Sequence, residues 1–253
     1  MTKYFEWTCY FEQNHWPDFP FTRAPPLTPH ERQLIAKSIR QFQLGESADG
    51  RTLRRLGREF AAANGEPDYP RSLELFIGEE QRHAAMLGRF LDREGIARQS
   101  ADGADGLFRW VRKLWRHEFM LMTLVSAECV AVPYYSALRD ATTSPLLRAL
   151  CQQILRDEAM HLNYQGQTLG KLAAGRRFWM ASGARTAHRA MVLMATLVVY
   201  AQHRKFCRAA GWSLPDFLSA SFQALAQVER RLPGSALVGF GWSSPSKRVT
   251  GGA

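Results

Sequence analysis

Four glutamates stand where a helical chain would be expected to carry leucines. In the first of four periodic stretches, Ile35, Ile39, Phe42, Glu46, Leu53, Leu56 and Phe60 recur in steps of three, four or seven. The second runs Leu73, Phe76, Glu80, His83, Leu87, Phe90, and the third Leu114, His117, Leu121, Leu124, Glu128, Ala131, Tyr135, Leu138. The fourth is Leu147, Cys151, Ile154, Glu158, His161, Gln165. Such spacing places each set on one face of a helix, the face that turns to a core. An unpaired carboxylate in a core costs several kcal/mol even after relaxation, on the order of what a whole domain has in reserve. Four of them demand compensation. Two divalent cations supply it, four positive charges against four negative ones.

Glu80 and Glu158 each have a histidine three residues on, His83 and His161. Positions i and i+3 share a helix face, so each pair can aim at one point. With 14 Glu and 7 His in 253 residues, about 0.4 Glu-x-x-His matches arise by chance, so a lone match says little. A third match, Glu12 to His15, falls in an aperiodic aromatic stretch and is set aside. The order Glu46, Glu80-x-x-His83, Glu128, Glu158-x-x-His161, each on its own stripe, is far more specific. Carboxylate and imidazole donors together suit iron or manganese and leave coordination positions open.

The remaining punctuation predicts an all-α single domain spanning 1–253. Residues 1–28, crowded with aromatics and prolines, read as an irregular strap. Residues 29–170 read as four long helices: one over 29–63 ended by Asn64-Gly65, one opened by Pro70, one holding Pro133, and one opened by the Ser144-Pro145 cap. A Gly/Asp/Ser loop fills 99–106. Residues 177–231 read as two further helices, and 232–253 as a basic tail. The apolar run Ala190 to Ala201 reads as a buried helix, too short to span a bilayer, which takes about 20 residues. We therefore expect no transmembrane segment.

Charge is unevenly spread. Residues 164–253 hold 12 Lys and Arg against only Asp216 and Glu229, and so carry the entire formal excess of +10. That surface suits an anionic substrate, an acidic partner, a membrane surface or RNA, and charge alone does not choose. The four cysteines (Cys9, Cys129, Cys151, Cys207) form no Cys-x-x-Cys pair, which argues against a disulfide scaffold or an attached rubredoxin module and fits a reducing compartment. The opening Met-Thr-Lys-Tyr-Phe-Glu shows no secretory pattern, so a cytoplasmic protein is expected.

An inward Glu from each of two helices, with Glu-x-x-His from the other two, resembles the ferritin-like di-iron carboxylate superfamily. The resemblance covers Ile35 to Thr168. Glu79-Glu80-Gln81-Arg82-His83 and Asp157-Glu158-Ala159-Met160-His161 look most like soluble acyl-carrier-protein desaturases and related di-iron oxygenases. It implies a ferritin-like four-helix bundle with additional C-terminal helices. It implies two iron ions (manganese or a mixed pair being the alternatives), with Glu80 and Glu158 bridging, Glu46 and Glu128 terminal, and His83 and His161 binding one ion each. It further implies that Asp157 reaches His83 and Glu79 reaches His161.

Function by that resemblance is oxygen activation: dioxygen as co-substrate, a small organic substrate of hydrophobic or anionic kind, and electrons from a reductase or ferredoxin. A homodimer is compatible with it. The alternatives are a ferroxidase or peroxide-scavenging metal protein, an RNA-modifying di-iron hydroxylase, and a helical interaction module without metal. Leu87 stands where ribonucleotide reductase small subunits keep a radical-storing tyrosine, and Ala131 and Val132 where many hydroxylases have threonine. Thr123 and Ser126 are the nearest hydroxyls left to deliver protons. Tyr134, Tyr135 and Tyr164 read as core with an electron-passing role as the alternative, His117 as a core histidine, and Met191 to Val198 as core rather than substrate channel.

Overall fold

The computed structural model describes residues 3–47, 50–99, 117–174 and 178–232, without the side chains of 178–181. The basic tail from 233 onward, most of the 99–106 loop and Leu114 lie outside the described residues. Within them the protein is all-helical, with no strand. Eight helices follow one another: α1 (Lys3–Gln13), α2 (Pro29–Glu46), α3 (Arg51–Asn64), α4 (Tyr69–Arg93), α5 (His117–Ala141), α6 (Pro145–Ala173), α7 (Phe178–Ala209) and α8 (Leu214–Glu229).

Helix α2 packs on α4, α4 on α6, α6 on α5, and α5 back on α2. This circuit of contacts encloses the interior that the four stripes were expected to share. Helix α1 lies along α4, α3 leans on α4 and α5, and α7 and α8 cover α5 and α6. Helix α5 is the one described helix long and apolar enough to cross a membrane, yet 83% of its most apolar 18-residue window is buried inside the protein. Pro133 sits within α5 without ending it.

Three sequence expectations need correction. The strap at 1–28 begins with a helix, α1, whose Tyr4 and Phe11 are buried seven residues apart on one face. Phe5, Trp7 and Tyr10 surround the helix with aromatics, so the contrast between faces that reveals a helix is absent. The single helix expected over 29–63 is two, α2 ending at Glu46 and α3 starting after Gly50. Gly50 has φ of 66°, a left-handed conformation that glycine adopts without penalty, and Ile77 packs where a Cβ would stand. The Ala190 to Ala201 run is not uniformly buried. Val192, Thr196 and Tyr200 face inward, while Leu193, Met194 and Val198 are exposed.

One carboxylate ties helix ends together. Glu31 closes the α2 capping box: its Oε2 accepts from the Thr28 N–H (3.0 Å) and hydroxyl (2.8 Å), and Thr28 Oγ1 accepts from the Glu31 N–H. Its Oε1 accepts from the Thr143 N–H (2.5 Å), the Thr143 hydroxyl (3.0 Å) and the Thr142 hydroxyl (3.2 Å), all in the short α5–α6 connection. Burial pushes the carboxyl upward, but the donors from Thr143 and Thr28 overcome this and hold it down at about 2. A depressed carboxyl contributes stability above its unfolded value and loses it as pH falls toward the folded one. Glu31→Gln is therefore expected to cost about 1–3 kcal/mol at neutral pH. In urea unfolding, the gap between wild type and variant should close as pH drops from about 4.5 to about 2.

Candidate metal centre

Each helix of the circuit delivers one acid to the interior: Glu46 from the last turn of α2, Glu80 from α4, Glu128 from α5 and Glu158 from α6. The two histidines come from α4 and α6. Ligand atoms of Glu46, Glu80, His83 and Glu158 lie within 4.8 Å of one another, and so do those of Glu80, Glu128 and His161. All six side chains singled out from the sequence thus fall into two adjoining groups that share Glu80. Glu158 joins the first group only. Counting one donor atom per residue, the groups offer four and three, so an ion held there would keep positions free for other ligands.

The histidines are oriented from outside. His83 Nε2 lies 3.2 Å from Asp157 Oδ2, and His161 Nε2 lies 2.9 Å from Glu79 Oε2. The exchange is crosswise, α4 histidine to α6 acid and α6 histidine to α4 acid. A carboxylate only accepts, so Nε2 must carry the proton in both rings and Nδ1 is turned inward. Neither Nδ1 has a hydrogen-bond partner, and both are buried. His161 Nδ1 is 2.8 Å from Glu80 Oε1, but without the alignment of a hydrogen bond. His83 Nδ1 stands 3.9 Å from Glu80 Oε1 and 3.8 Å from Glu158 Oε1. Buried oxygens of Glu80, Glu128 and Glu158 lack partners as well. Unpartnered nitrogens and oxygens thus belong to side chains whose ligand atoms lie within 4.8 Å of one another in each group, an arrangement that could hold metal ions.

The terminal acids are each steadied by one neighbour. Tyr135 donates its hydroxyl to Glu46 Oε1 at 2.8 Å, and Gln165 donates its amide to Glu128 Oε1. Glu46 also stands at the C-terminal end of α2, where the helix dipole disfavours an anion. The centre is not sealed evenly. Glu158, His83 and His161 are at most 1% exposed, whereas the Glu80 side chain keeps 22% and Glu46 is half-buried. The two partly exposed acids are those of α2 and α4.

Sequence reasoning missed the outer wall. The amide of Asn14 and the indole of Trp16 donate to Glu79 and Asp157, and Trp16 stacks on His83 at 5.5 Å. Asn14 lies inside the Glu12 to His15 match that was set aside. Glu12 itself pairs with Arg71 on the surface. Among the other candidates, the Thr123 and Ser126 hydroxyls bond back to Phe119 and Met122 carbonyls, which makes them ordinary helix residues. His117 bonds the Tyr69 hydroxyl, and burial holds it down at about 4. Tyr164 bonds Ser72, while Tyr134 bonds Ser38. In the stretch Met191 to Val198, Val192 and Thr196 face inward while Leu193, Met194 and Val198 are exposed.

The electrostatics repeat the same need for positive charge. Burial, then the neighbouring Glu80, pushes Glu46 well above the usual carboxylate range. Burial also raises Glu128, with Glu80 adding to it against His161, and Glu158 is raised by burial and by Glu128, Glu80 and Glu46. Burial pushes Glu80 upward too, but His161 and His83 outweigh it and hold it down at about 2. Burial lowers His161, and Glu79 and Glu80 overcome this to raise it well above its ordinary value. These shifts favour protons on Glu46, Glu128, Glu158 and His161.

Compared with protein-family models, characterised proteins and solved structures, the chain matches none.

Raised carboxyls and a raised imidazole all bind more protons folded than unfolded, so each favours folding at low pH and loses that contribution as pH rises. The loss begins near pH 4.5 for the glutamates and near 6.5 for His161. Chelator-treated protein should therefore need less urea to unfold at about pH 8 than at about pH 5. Glu128→Gln, which keeps an acceptor for Gln165, should flatten that slope and raise the midpoint at about pH 8.

Proposed function

We propose that the protein is a ferritin-like, non-haem di-iron oxidoreductase that uses dioxygen to oxidise or oxygenate an organic substrate. The observation that carries this reading is the pair of inward-facing, unpartnered imidazole nitrogens surrounded by four glutamates. The contact circuit of α2, α4, α6 and α5, each helix giving one acid, supports the four-helix bundle. The donor set fits two divalent transition ions, the first near Glu46, Glu80, His83 and Glu158, the second near Glu80, Glu128 and His161, and their charge would cancel that of the four carboxylates. Iron bound there would supply the redox equivalents and the Lewis acidity for reducing dioxygen.

The chain's own residues have separable tasks. Glu79 and Asp157 fix the ring orientation and keep the proton on Nε2. Tyr135 and Gln165 each hold one oxygen of a terminal acid and leave the other free to ligate. Phe76 packs against His161 at 4.7 Å, and Phe11 and Trp16 cover the rings from the N-terminal side, which excludes water around the histidines. The exposed edge at Glu46 and Glu80 is the face open to dioxygen and substrate.

Metal analysis tests the reading first. Purified full-length protein should hold two iron ions per chain. Glu80→Ala should deplete both sites, and His83→Ala about one. Because protons must leave as metal enters, calorimetric binding should release protons and tighten as pH rises from about 6 to about 8. Anaerobic loading with Fe(II) followed by oxygen then separates two classes. Oxidation that stops at two irons per chain and is quenched by particular organic compounds supports an oxygenase. Steady growth of a ferric mineral beyond two irons would make the protein a ferroxidase. No metal bound under any condition would remove both.

A further inference from the structure

Asn14 grips two carboxylates with one amide. Its Nδ2 donates to Glu79 Oε1 at 2.7 Å and to Asp157 Oδ1 at 3.0 Å. An amide nitrogen carries two hydrogens, so both are spent on this pair. The other oxygen of each acid takes a histidine N–H, His161 on Glu79 and His83 on Asp157. Asn14 is thus the side chain common to both carboxylate–histidine pairs, and it screens two like charges that α4 and α6 bring side by side.

Asn14 is itself held in place. Its N–H bonds the Tyr10 carbonyl at 3.0 Å at the end of α1, and its own carbonyl accepts from Arg82 Nη1 at 3.0 Å. Two residues on, Trp16 Nε1 donates to Asp157 Oδ2 at 2.8 Å, and the Arg82 guanidinium lies 5.9 Å over the Trp16 ring. The remaining donor to Asp157 is Gln153, at 3.0 Å. Gln153 touches Asp157 but makes no bond to Glu79, so it acts on one pair where Asn14 acts on both.

Resting on the metal reading above, we infer that Asn14 is a positioning residue for both metal-binding histidines, and that docking of residues 14–16 and metal binding are thermodynamically linked. The linkage is reciprocal. If the docked segment tightens metal binding, metal tightens the docking by the same factor. Outer partners of ligating histidines change metal affinity by about 10–100-fold when removed, and Asn14 addresses two such partners at once.

Cobalt(II) serves as the probe, added to full-length protein. Wild type should bind two Co(II) and show two exchangeable, paramagnetically shifted ring N–H signals in proton NMR, one per histidine. Asn14→Leu should weaken cobalt binding at least about tenfold and speed solvent exchange of both signals. Gln153→Leu should affect the His83 signal alone. Trp7→Phe, which breaks the Trp7 to Gln167 bond of α1 without touching either acid, should leave both signals in place. Cobalt should slow amide hydrogen exchange over residues 10–16 in wild type and not in the Asn14 variant. If Asn14→Leu does not fold by circular dichroism, Asn14→Ala, which removes both donors without added bulk, is read the same way. Unchanged affinity and unchanged N–H signals in a folded Asn14 variant overturn the inference alone. A wild type that binds no cobalt overturns the metal reading and the inference with it.

Discussion

The rest of the structure is arranged around an excess of negative charge in a largely buried interior. Four carboxylates enter one interior from four helices; Tyr135 and Gln165 donate to single oxygens of Glu46 and Glu128, and the two imidazoles lie beside Glu80. Coulomb repulsion between such groups is several-fold stronger inside a protein than in water. Only protons or cations relieve it. The crosswise pairs of His83 with Asp157 and His161 with Glu79 leave both Nδ1 atoms on the side of the glutamates, the arrangement that the metal reading proposed above calls for. The two further buried acids, Glu79 and Asp157, add negative charge, and by accepting from Nε2 they would strengthen the imidazole nitrogens as ligands for a metal.

That crosswise exchange also has a mechanical side. Each pair joins α4 to α6, and sliding one helix along the other would break both contacts at once. The register of the two histidine-bearing helices is thereby set by the groups that tune the site. Glu31 does similar work on the opposite charge ledger. It is a carboxylate fully supplied with N–H and hydroxyl donors, held low and ionised, fixing the start of α2 to the α5–α6 connection. Glu31 is satisfied and structural, whereas Glu80, Glu128 and Glu158 in the centre each keep a buried oxygen without a hydrogen-bond partner. The difference lies in the donors around each acid, not in the residue type.

How much of this was legible in the sequence follows from the range of each interaction. The inward placement of Glu46, Glu80, Glu128 and Glu158 is a matter of helical period, a local property that the stripes carry openly. The Glu-x-x-His pairs are local too. The break between α2 and α3 was hidden because Glu46 and Leu53 are seven residues apart, a step that an unbroken helix and a turn through Gly50 both allow. Helix α1 was hidden for the opposite reason, with aromatics on all sides and no apolar stripe to see. In α7 the apolar Leu193, Met194 and Val198 are outside, while Val192 and the polar Thr196 are inside. Nothing in a run of apolar residues says which side meets the neighbouring helices α5 and α8.

Asn14 and Trp16 mark the limit of sequence reading more sharply. Asn14 lies 65 residues from Glu79 and 143 from Asp157, and no periodicity connects them. A polar residue in an aperiodic stretch is ordinarily solvated, and a chance Glu-x-x-His match around it drew attention to the wrong side chains. The useful signal was of another kind. Glu79 and Asp157 are acids placed directly beside core ligands on α4 and α6, so each was bound to need a donor beyond its histidine. A buried carboxylate accepts up to four hydrogen bonds, and one imidazole supplies one. That shortfall, counted from the sequence, calls for amide or indole N–H groups from a segment free to pack over the outside of α4 and α6, and the chain before α2 is the segment that provides them.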